Sequence, residues 1–414
     1  MRVCFFNRSY YPDLGATGQF LTELAEDLVD KGCEVSVVAG VPVVSGDPTW
    51  TPPARMSPVT WERRHGVSIF RARGTSLWPG VLLSKYTNYL TYFGAAAIAG
   101  LRLPQADVVV ALTDPPIIGL IALAVARRQG SKFVLLCEDI YPEAGRLTAG
   151  VESRAINGAL DRVSRLLVRN ADHIIALGET MRKRLVEGKG ANPGKVAVIH
   201  NWVDCDLIVP GPKQNQFSLT HGLADKFVVM HSGNIGLSQE LEAVVQAAAR
   251  LKRFPDIEVV FVGEGVKKPV LEEQVRALGL QNVRFLPYQP KDNLRDSFAT
   301  AEVFIVSLKR GLAGYIVPSK LYGILAAGRP YVAAVEEMCE VTTITKKYNC
   351  GLLAEPGDPG DLAQKILTLY HDSALSQRLG ANARQAAVVF DRKVQVRAYN
   401  DLFHELVHAR PAAA

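Results

Sequence analysis

The fold is decided by residues 227–251, which read FVVMHSGNIGLSQELEAVVQAAARL. The first four residues form an apolar run typical of a buried strand that extends to His231, and Gly233 and Gly236 follow in a loop of small residues. Glu240–Leu251 then carries apolar residues at helical spacing. A strand, a glycine loop and a helix in this order predict one βα unit of a parallel sheet.

The same alternation extends from this stretch in both directions, so the sequence predicts an α/β fold with two doubly wound halves. Such halves place ligands at the carboxyl ends of their strands, and we expect the two to face each other across a cleft. The predicted strands are Arg2–Phe6, Glu34–Ala39, Val108–Ala111, Phe133–Cys137, His173–Ala176, Val196–Ile199, Phe227–His231, Ile257–Val262, Val283–Leu286, Val303–Val306 and Tyr331–Ala334.

The length of 414 residues suits two domains. Residues 1–205 are predicted as an N-terminal Rossmann-like domain. Residues 206–225 lose the alternation and are interpreted as a linker. Residues 226–390 are predicted as a C-terminal Rossmann-like domain, and residues 391–414 as a helix that returns to the N-terminal domain.

The composition is that of a globular protein, with 48% hydrophobic and 21% charged residues. The six cysteines show no zinc-ligand spacing, which favours buried, reduced thiols in a cytosolic protein. The N-terminus lacks a signal-peptide pattern, and the longest apolar stretches are shorter than the roughly 20 residues of a membrane span. We therefore predict a cytoplasmic protein that neither crosses a membrane nor binds nucleic acid.

The net charge of +6 is concentrated in the first half, where residues 1–200 have 23 Lys and Arg against 18 Asp and Glu. The excess is densest over residues 55–102, where aromatic residues are interspersed. Basic and aromatic residues together favour a peripheral contact with the inner face of the plasma membrane or with a lipid phosphate. A solvated loop leading into a core helix is the equally weighted alternative. The residues concerned are Arg55, Trp61, Glu62, Arg63, Arg64, Arg71, Arg73, Trp78, Lys85, Tyr86, Tyr89, Tyr92, Phe93 and Arg102.

Two stretches of the second half have the chemistry of a phosphate site. In residues 231–239, small residues between a strand and a helix let the backbone approach a phosphate, and Asn234 and Gln239 add neutral donors. In residues 317–330, Ser319 is predicted as an N-cap, Lys320 supplies a cation, and the amides of Lys320 and Leu321 point at the ligand. An ordinary turn and an ordinary capped helix are the alternatives. The glycine turn at Phe261–Gly265, taken alone, is a weaker indication.

Seven short stretches occur in an order and spacing that together are specific: Tyr10–Gly18, Thr113–Pro116, Glu138–Glu143, His200–Asp204, Ser232–Gly236, Phe261–Gly265 and Val317–Pro330. With them, nearly the whole chain resembles the retaining glycosyltransferases of the GT-B fold, family four. Within that family it is most similar to the bacterial colanic-acid and O-antigen fucosaminyl-transferase-like proteins.

The resemblance implies transfer of a hexosyl sugar from a nucleoside diphosphate sugar, expected to be UDP-linked, to a polyprenyl-linked or saccharide acceptor. It also implies that the N-terminal domain binds the acceptor and the C-terminal domain binds the nucleotide sugar. It implies no cofactor, and we expect no required metal. Asp139 and Glu138 would act at the sugar, and Phe285, Leu286 and Tyr288 would lie near the base. The donor would be held by Gly15, Gly18, Gly233, Asn234, Gln239, Gly263, Ser319, Lys320 and Leu321.

The chain departs from the family at two positions where many relatives have glutamates, here Tyr315 and Gly323. The second glutamate usually holds the ribose of the nucleotide. This loss slightly favours a non-catalytic subunit of a polysaccharide assembly complex, and a GT-B sugar-nucleotide epimerase is a further alternative. An Asp-x-Asp pattern at Asp204–Asp206 is interpreted as a chance match to metal-dependent transferases. A dinucleotide-dependent oxidoreductase is disfavoured, because no Gly-x-Gly-x-x-Gly follows the first strand.

Overall fold

The computed structural model describes residues 1–13, 15–42, 50–51, 57–75, 82–149 and 153–408, with the backbone alone at 82–86 and 149. These residues form two units. Unit 1 comprises the described residues within 1–143, 151–200 and 395–414. Unit 2 comprises those within 144–150 and 201–394. The segment predicted as a linker, 206–225, contains a short helix and lies in unit 2.

The first part of the chain alternates strands and helices. Its strands are β1 (Arg2–Phe6), β2 (Glu34–Gly40), β3 (Val59–Arg64), β4 (Val67–Ala72), β5 (Val108–Ala111), β6 (Lys132–Cys137), β7 (His173–Ala176) and β8 (Val196–Val198). Its helices are α1 (Ala16–Asp30), α2 (Leu82–Arg102), α3 (Gly119–Gln129), α4 (Glu143–Ala149), α5 (Arg154–Asn170) and α6 (Glu179–Arg184).

The sheet of unit 1 has the order β3-β4-β2-β1-β5-β6-β7-β8. All neighbouring pairs are parallel except β3 with β4. The order reverses between β1 and β5, so the segments that follow these two strands meet at the carboxyl edge of the sheet.

The second part of the chain repeats the alternation. Its strands are β9 (Phe227–Ser232), β10 (Ile257–Val262), β11 (Val283–Leu286), β12 (Val303–Ser307), β13 (Tyr331–Ala334) and β14 (Gly351–Ala354). Its helices are α7 (Gln216–Thr220), α8 (Leu241–Leu251), α9 (Lys268–Ala277), α10 (Leu294–Thr300), α11 (Lys320–Ala326), α12 (Glu340–Tyr348), α13 (Pro359–His371), α14 (Ser373–Ala387) and α15 (Arg392–His408).

The sheet of unit 2 is parallel throughout, in the order β11-β10-β9-β12-β13-β14. Both of its faces are covered, because alternate residues of a strand point to opposite sides. On β9, Val228 and Met230 pack into one core cluster and Val229 packs into the other. The reversal of strand order falls between β9 and β12, where the glycine loop begins.

Helix α15 packs on unit 1. Phe5 of β1 faces Phe403, with ring centroids 6.4 Å apart, and both side chains are buried. Phe6, the next residue, points to the opposite side of the sheet, where its ring lies close to Gly100 of α2. Unit 1 is thus covered by α15 on one side and by α2 and its neighbours on the other.

The sequence prediction missed the hairpin β3–β4 within the basic stretch. His65 and Gly66 form its two-residue turn with φ values of 44° and 78°, the left-handed pair that a tight hairpin requires. The strands were hard to recognise because β3, at the sheet edge, is mostly polar and β4, next to it, includes Ser68 and Arg71, so neither forms a continuous apolar run. The short strand β14 was missed as well.

Candidate functional site

The loop after β9 is fixed by backbone contacts with the loop after β10. Gly233 N–H donates to the Val262 carbonyl at 2.9 Å, and Ile235 N–H donates to the Glu264 carbonyl at 2.8 Å. Gly263 has a φ of 142°, and a Cβ atom there would lie 2.1 Å from the Gly233 carbonyl oxygen. Only glycine permits this approach, so Gly263 allows the loop after β10 to pack directly against the glycine loop after β9.

Lys320 reaches this loop from the first turn of α11. Its Nζ lies 3.1 Å from Nε2 of His231 and donates to Oε1 of Gln239 at 2.8 Å. Gly233 is close to the same ammonium, since a Cβ atom at that glycine would lie 3.9 Å from Nζ. The ends of β9 and β12 therefore bring a cation and a glycine loop together at the point where the strand order reverses.

The surroundings of Lys320 destabilise the charged form of its amine. Burial lowers the pKa of Lys320 to about 7. Burial, with the charge of Lys320 as a second cause, lowers the pKa of His231 well below its ordinary value, so the imidazole is neutral and accepts from the ammonium. An anionic ligand beside Lys320 would stabilise the charged form of its amine.

Two details of the predicted phosphate motif are wrong. Ser319 stands at the N-cap position, but its backbone is already helical and its hydroxyl makes no capping hydrogen bond. The Leu321 amide is engaged, because it donates to the Pro318 carbonyl at 3.3 Å. The tight first turn of α11 satisfies this amide internally, so Lys320 alone brings charge to the site from this helix.

Gln239 and Asn234 differ in exposure. Gln239 is buried, accepts from Lys320, and donates through Nε2 to the Asn234 carbonyl at 3.0 Å. Its amide thus orients Lys320 and ties the loop together. Asn234 is exposed and keeps its side chain at the loop surface.

The three residues predicted near the base also differ in exposure. Phe285 stacks on Phe261 at 5.0 Å between ring centroids, and Leu286 is buried in the opposite core cluster. Tyr288, two residues beyond the strand, is exposed over 38% of its surface. Of the three, Tyr288 has the most surface available to a ligand.

Gly323 lies against an aromatic ring. A Cβ atom at this position would lie 2.7 Å from Cε2 of Phe298 in α10. A glutamate there requires the Phe298 ring to move, so the absence of the family glutamate is matched by the packing around it.

The carboxyl edge of the unit 1 sheet carries a second polar cluster. Asp114, after β5, accepts from the Ser9 hydroxyl at 2.9 Å and forms an ion pair with Arg8 at 3.4 Å, both residues following β1. Asp139 follows β6, and its amide donates to Thr113 Oγ1 at 3.2 Å. Sequence reasoning assigned no role to Arg8 or Ser9, although both directly follow a buried strand, which was the available signal.

Asp139 is a carboxyl group in a poorly solvated place. Burial first, and the charge of Asp114 second, raise the pKa of Asp139 to about 7. Burial and the charge of Asp139 also raise the pKa of Tyr141. Glu138 is half-buried next to Asp139 in the chain. A carboxyl group poised near neutral pH can accept a hydrogen bond from a ligand hydroxyl when it is ionised.

Gly15 and Gly18 occupy the start of α1. Gly15 is exposed at the N-cap position, and its amide donates to Oδ1 of Asp13 at 3.1 Å. Gly18 is buried, and a Cβ atom there would lie 3.3 Å from the backbone of Ser9 and Tyr10. Gly18 therefore permits the close packing of the loop after β1 on this helix.

Two arginines of the basic stretch pair with carboxylates of the protein itself. The Arg71 side chain is completely buried, pairs with Glu62 at 2.6 Å and donates to the Gly40 carbonyl, so it has no access to a membrane. Arg64 pairs with Glu26 and lies over the Tyr11 ring. Trp61 and Arg63 are exposed on the edge strand β3. Arg55, Trp78 and the side chains of Lys85 and Tyr86 lie outside the described residues.

Asp204 has a structural partner. Its Oδ1 accepts from the amides of Asp206 and Leu207 at 2.9 and 3.0 Å, and Asp206 pairs with Lys393 at 2.6 Å. These contacts form a turn, and they account for the Asp-x-Asp pattern without a ligand.

Family models match both halves of the chain. The model described as "Glycosyl transferase 4-like domain" matches residues 15–202, and the model described as "Glycosyl transferases group 1" matches residues 214–386. The chain is a glycosyltransferase of the GT-B fold. The predicted fold class is thereby confirmed, with two Rossmann-like parallel-sheet domains.

Relatives of this glycosyltransferase occur in bacterial polysaccharide biosynthesis. It is 26% identical over 371 residues, 84% of this chain and 86% of the relative, to WcaI of Escherichia coli (strain K12), named for glycosyl transfer in colanic acid biosynthesis. It is 29% identical over 273 residues, 64% of this chain and 66% of the relative, to WbjE of Pseudomonas aeruginosa, named as a glycosyltransferase. Among solved structures, Anabaena Alr3699/HepE in complex with UDP-glucose superposes with a TM-score of 0.73 at 18% identity, over 99% of this chain and 100% of that one.

None of the helices within the described residues is long and apolar enough to cross a membrane.

Proposed function

We propose that this glycosyltransferase transfers a hexosyl unit from a UDP-linked sugar to a lipid-linked or saccharide acceptor in bacterial surface polysaccharide biosynthesis. We further propose that it does so with retention of configuration, without a metal ion, and at the cytoplasmic face of the membrane. Within the family, the fucosaminyl-transferase-like branch is our assignment. The colanic acid relative and the UDP-glucose complex of the Anabaena protein support the pathway and the nucleotide.

The observation that carries the proposal is Lys320, held 3.1 Å from His231 Nε2 and 2.8 Å from Gln239 Oε1 beside the glycine loop. Glycosyl transfer from a nucleoside diphosphate sugar leaves a diphosphate whose negative charge grows as the bond breaks. A preorganised cation in a poorly solvated site stabilises that charge, and this is the role we assign to Lys320. Gly233, Asn234, Gly263 and Ser319 shape the same loop and helix start, and Tyr288 is the residue we assign to the base.

In unit 1, we assign Asp139 to orienting a sugar hydroxyl, with Glu138 next to it. Retention is accounted for if the departing phosphate accepts the proton of the attacking hydroxyl on the face that it leaves. The protein then needs no pair of carboxylates flanking the bond, as a two-carboxylate glycosidase does. An acceptor on a polyprenyl carrier would also require the protein to work at a membrane surface.

Calorimetric titration of UDP, GDP, ADP and dTDP in the presence of EDTA tests the donor site. Wild type should bind UDP most tightly, and Lys320→Met should weaken that binding by roughly 10- to 100-fold, the range for a hydrogen bond to a charged group. Lys346→Met, which removes an exposed lysine of unit 2, should leave the affinity unchanged.

A change of pH sharpens the same test. Because the pKa of Lys320 is about 7, the affinity of wild type for UDP should fall by up to about tenfold per pH unit above pH 7. Lys320→Arg, which stays charged, should remove this fall. If no nucleotide binds, the non-catalytic subunit becomes the better interpretation, and binding that requires a divalent ion contradicts metal independence.

A further inference from the structure

The strand β3 forms one edge of the unit 1 sheet. Among the described residues it pairs with β4 alone. With six residues it is longer than the other edge strands, since β8 has three residues and β11 and β14 have four each. A short edge resists pairing with another chain, and β3 lacks this protection.

Alternate residues of β3 direct their backbone groups toward the free edge. The Arg73 amide donates to the Pro58 carbonyl at 2.8 Å, just before β3, and this contact fixes the alternation of hydrogen-bonded pairs along the hairpin. The even-numbered residues of β3 therefore direct their backbone groups to β4. The N–H and C=O groups of Val59, Trp61 and Arg63 point outward.

Within the described part of the chain, two of these three residues are open to a partner. The Ser57 hydroxyl donates to the Val59 carbonyl at 2.7 Å and accepts from the Val59 amide at 3.4 Å, so the groups of Val59 are engaged. The outward groups of Trp61 and Arg63 have no such neighbour in the described ranges. Both side chains are exposed, that of Trp61 over 61% of its surface. The edge thus presents an aromatic ring and a cation two residues apart.

We propose that β3 pairs antiparallel with β3 of a second copy of this chain, about a twofold axis at Glu62. Trp61 of each copy then exchanges its backbone hydrogen bonds with Arg63 of the other, and the two side chains lie on the same face of the joined sheet. An arginine beside a tryptophan ring forms a favourable cation–π pair, and the symmetry repeats it. The inference goes beyond the proposed function and does not depend on it.

The other symmetric registers are less favourable. Placing Trp61 opposite itself brings Arg63 to Val59, whose backbone groups are engaged. Placing Arg63 opposite itself sets like charges together. In the proposed register the two Glu62 side chains meet, but each is neutralised by the buried Arg71 of its own copy at 2.6 Å.

Sedimentation velocity of the full chain from about 1 to 100 µM tests the proposal. Wild type should convert from monomer to dimer with a Kd on the order of 10 µM, as expected for a small interface. Arg63→Pro removes an outward amide and leaves the ladder to β4 intact, so it should raise the Kd at least about tenfold. Trp61→Ala, which keeps the backbone groups, should raise the Kd by roughly three- to tenfold.

Leu219→Ala is the matched control, because it removes a side chain that is exposed over 63% of its surface in unit 2. It should leave the Kd unchanged within about twofold. A wild type that stays monomeric up to about 100 µM overturns the proposal, and so does a dimer that neither β3 variant weakens. Assemblies larger than a dimer overturn it as well, because a twofold contact closes on itself.

Cysteine substitutions test the register. Trp61→Cys protein mixed with Arg63→Cys protein should form an intermolecular disulfide on mild oxidation, since the Cα atoms of a hydrogen-bonded pair lie about 5.5 Å apart. The mixed dimer also keeps one pair of Trp61 with Arg63, which a dimer of either variant alone loses. The native cysteines are buried, so they should contribute little cross-linking. Equal cross-linking of the Trp61→Cys protein with itself overturns the proposed pairing.

Discussion

Units 1 and 2 share one architecture but place opposite, half-buried charges at the carboxyl ends of their sheets, where doubly wound folds bind ligands. Unit 1 places Asp139 after β6, and burial raises the pKa of that carboxyl group to about 7. Unit 2 places Lys320 at the start of α11, and burial lowers the pKa of its ammonium to about 7. In both groups the charged form is therefore destabilised by poor solvation. The two groups differ in the kind of ligand that would stabilise that charged form.

Under the proposed function, this difference corresponds to different roles for the two units. A diphosphate would supply an anionic partner for the Lys320 ammonium. A sugar would supply hydroxyl groups that donate hydrogen bonds to the ionised Asp139 carboxylate. A buried charge in a structural ion pair differs, because oppositely charged side chains lie beside it. Buried Lys189, for example, has Glu143 and Asp161 within 2.9 Å. The comparison leads to three predictions, each of which treats the two units as references for one another.

The largest effect is expected at the glycine pair of unit 2. Gly263→Ala should destabilise unit 2 by about 3 kcal/mol or more, because alanine is strained at this φ and its Cβ would collide with the Gly233 carbonyl. Hydrogen exchange should show the loss in β9 and β10 and leave the amides of unit 1 unchanged.

Gly158→Ala in α5 is the control, since no heavy atom lies within 4 Å of the added methyl group. It should be neutral or slightly stabilising, because alanine favours a helix over glycine. A Gly263→Ala protein with normal protection in β9 would show that the two loops are not braced by this contact.

The second prediction concerns pH, and its sign is opposite in the two units. The folded-state pKa of Asp139 is raised, so its contribution to stability is present at low pH and is lost as pH rises through 7. The folded-state pKa of Lys320 is lowered, so its contribution is present at high pH and is lost as pH falls toward 7.

Accordingly, Asp139→Asn should stabilise unit 1 at pH 8 by about 1–2 kcal/mol, a figure reduced for partial solvation, and by almost nothing at pH 4. Lys320→Met should stabilise unit 2 most at pH 7 and little at pH 10.5. Hydrogen exchange corrected for intrinsic rates reports each unit separately. The same pH dependence in both units would contradict the assignment of opposite charges.

The smallest effect compares two serines at helix starts. In unit 1, Ser153 caps α5 by accepting from the Ile156 amide at 3.4 Å, whereas in unit 2 the hydroxyl of Ser319 makes no cap bond. Ser153→Ala should therefore lower the protection of the first turn of α5 by about 0.5–1 kcal/mol. Ser319→Ala should change α11 by less than about 0.3 kcal/mol. The reverse ranking would restore the capping role predicted from the sequence.

The fold was predictable because its signal is local. Runs such as Val108–Ala111 and Tyr331–Ala334 are apolar on both faces, as is typical of parallel strands covered by helices, and they were placed correctly. The edge strand β3 and its neighbour β4 were missed because both include polar residues and neither forms a continuous apolar run. Their arginines were interpreted as a basic surface, although Arg71 points inward to Glu62.

The site was predictable only in part. A lysine at the start of a helix and a glycine loop after a strand are each visible in a short stretch of sequence. The contact between Lys320 and His231 joins residues 89 positions apart, and no local pattern indicates it. Likewise, the ion pair of Arg8 and Asp114 exists because the strand order reverses between β1 and β5, which sequence alone does not fix.

Helix α15 has a consequence for biosynthesis. It follows all of unit 2 in the chain, yet it covers Phe5 in the first strand of unit 1. During translation the strands of unit 1 are therefore synthesised before the helix that packs on Phe5. About 190 residues of unit 2 leave the ribosome between them. Through that interval Phe5 lacks the α15 side chain that packs against it in the folded chain.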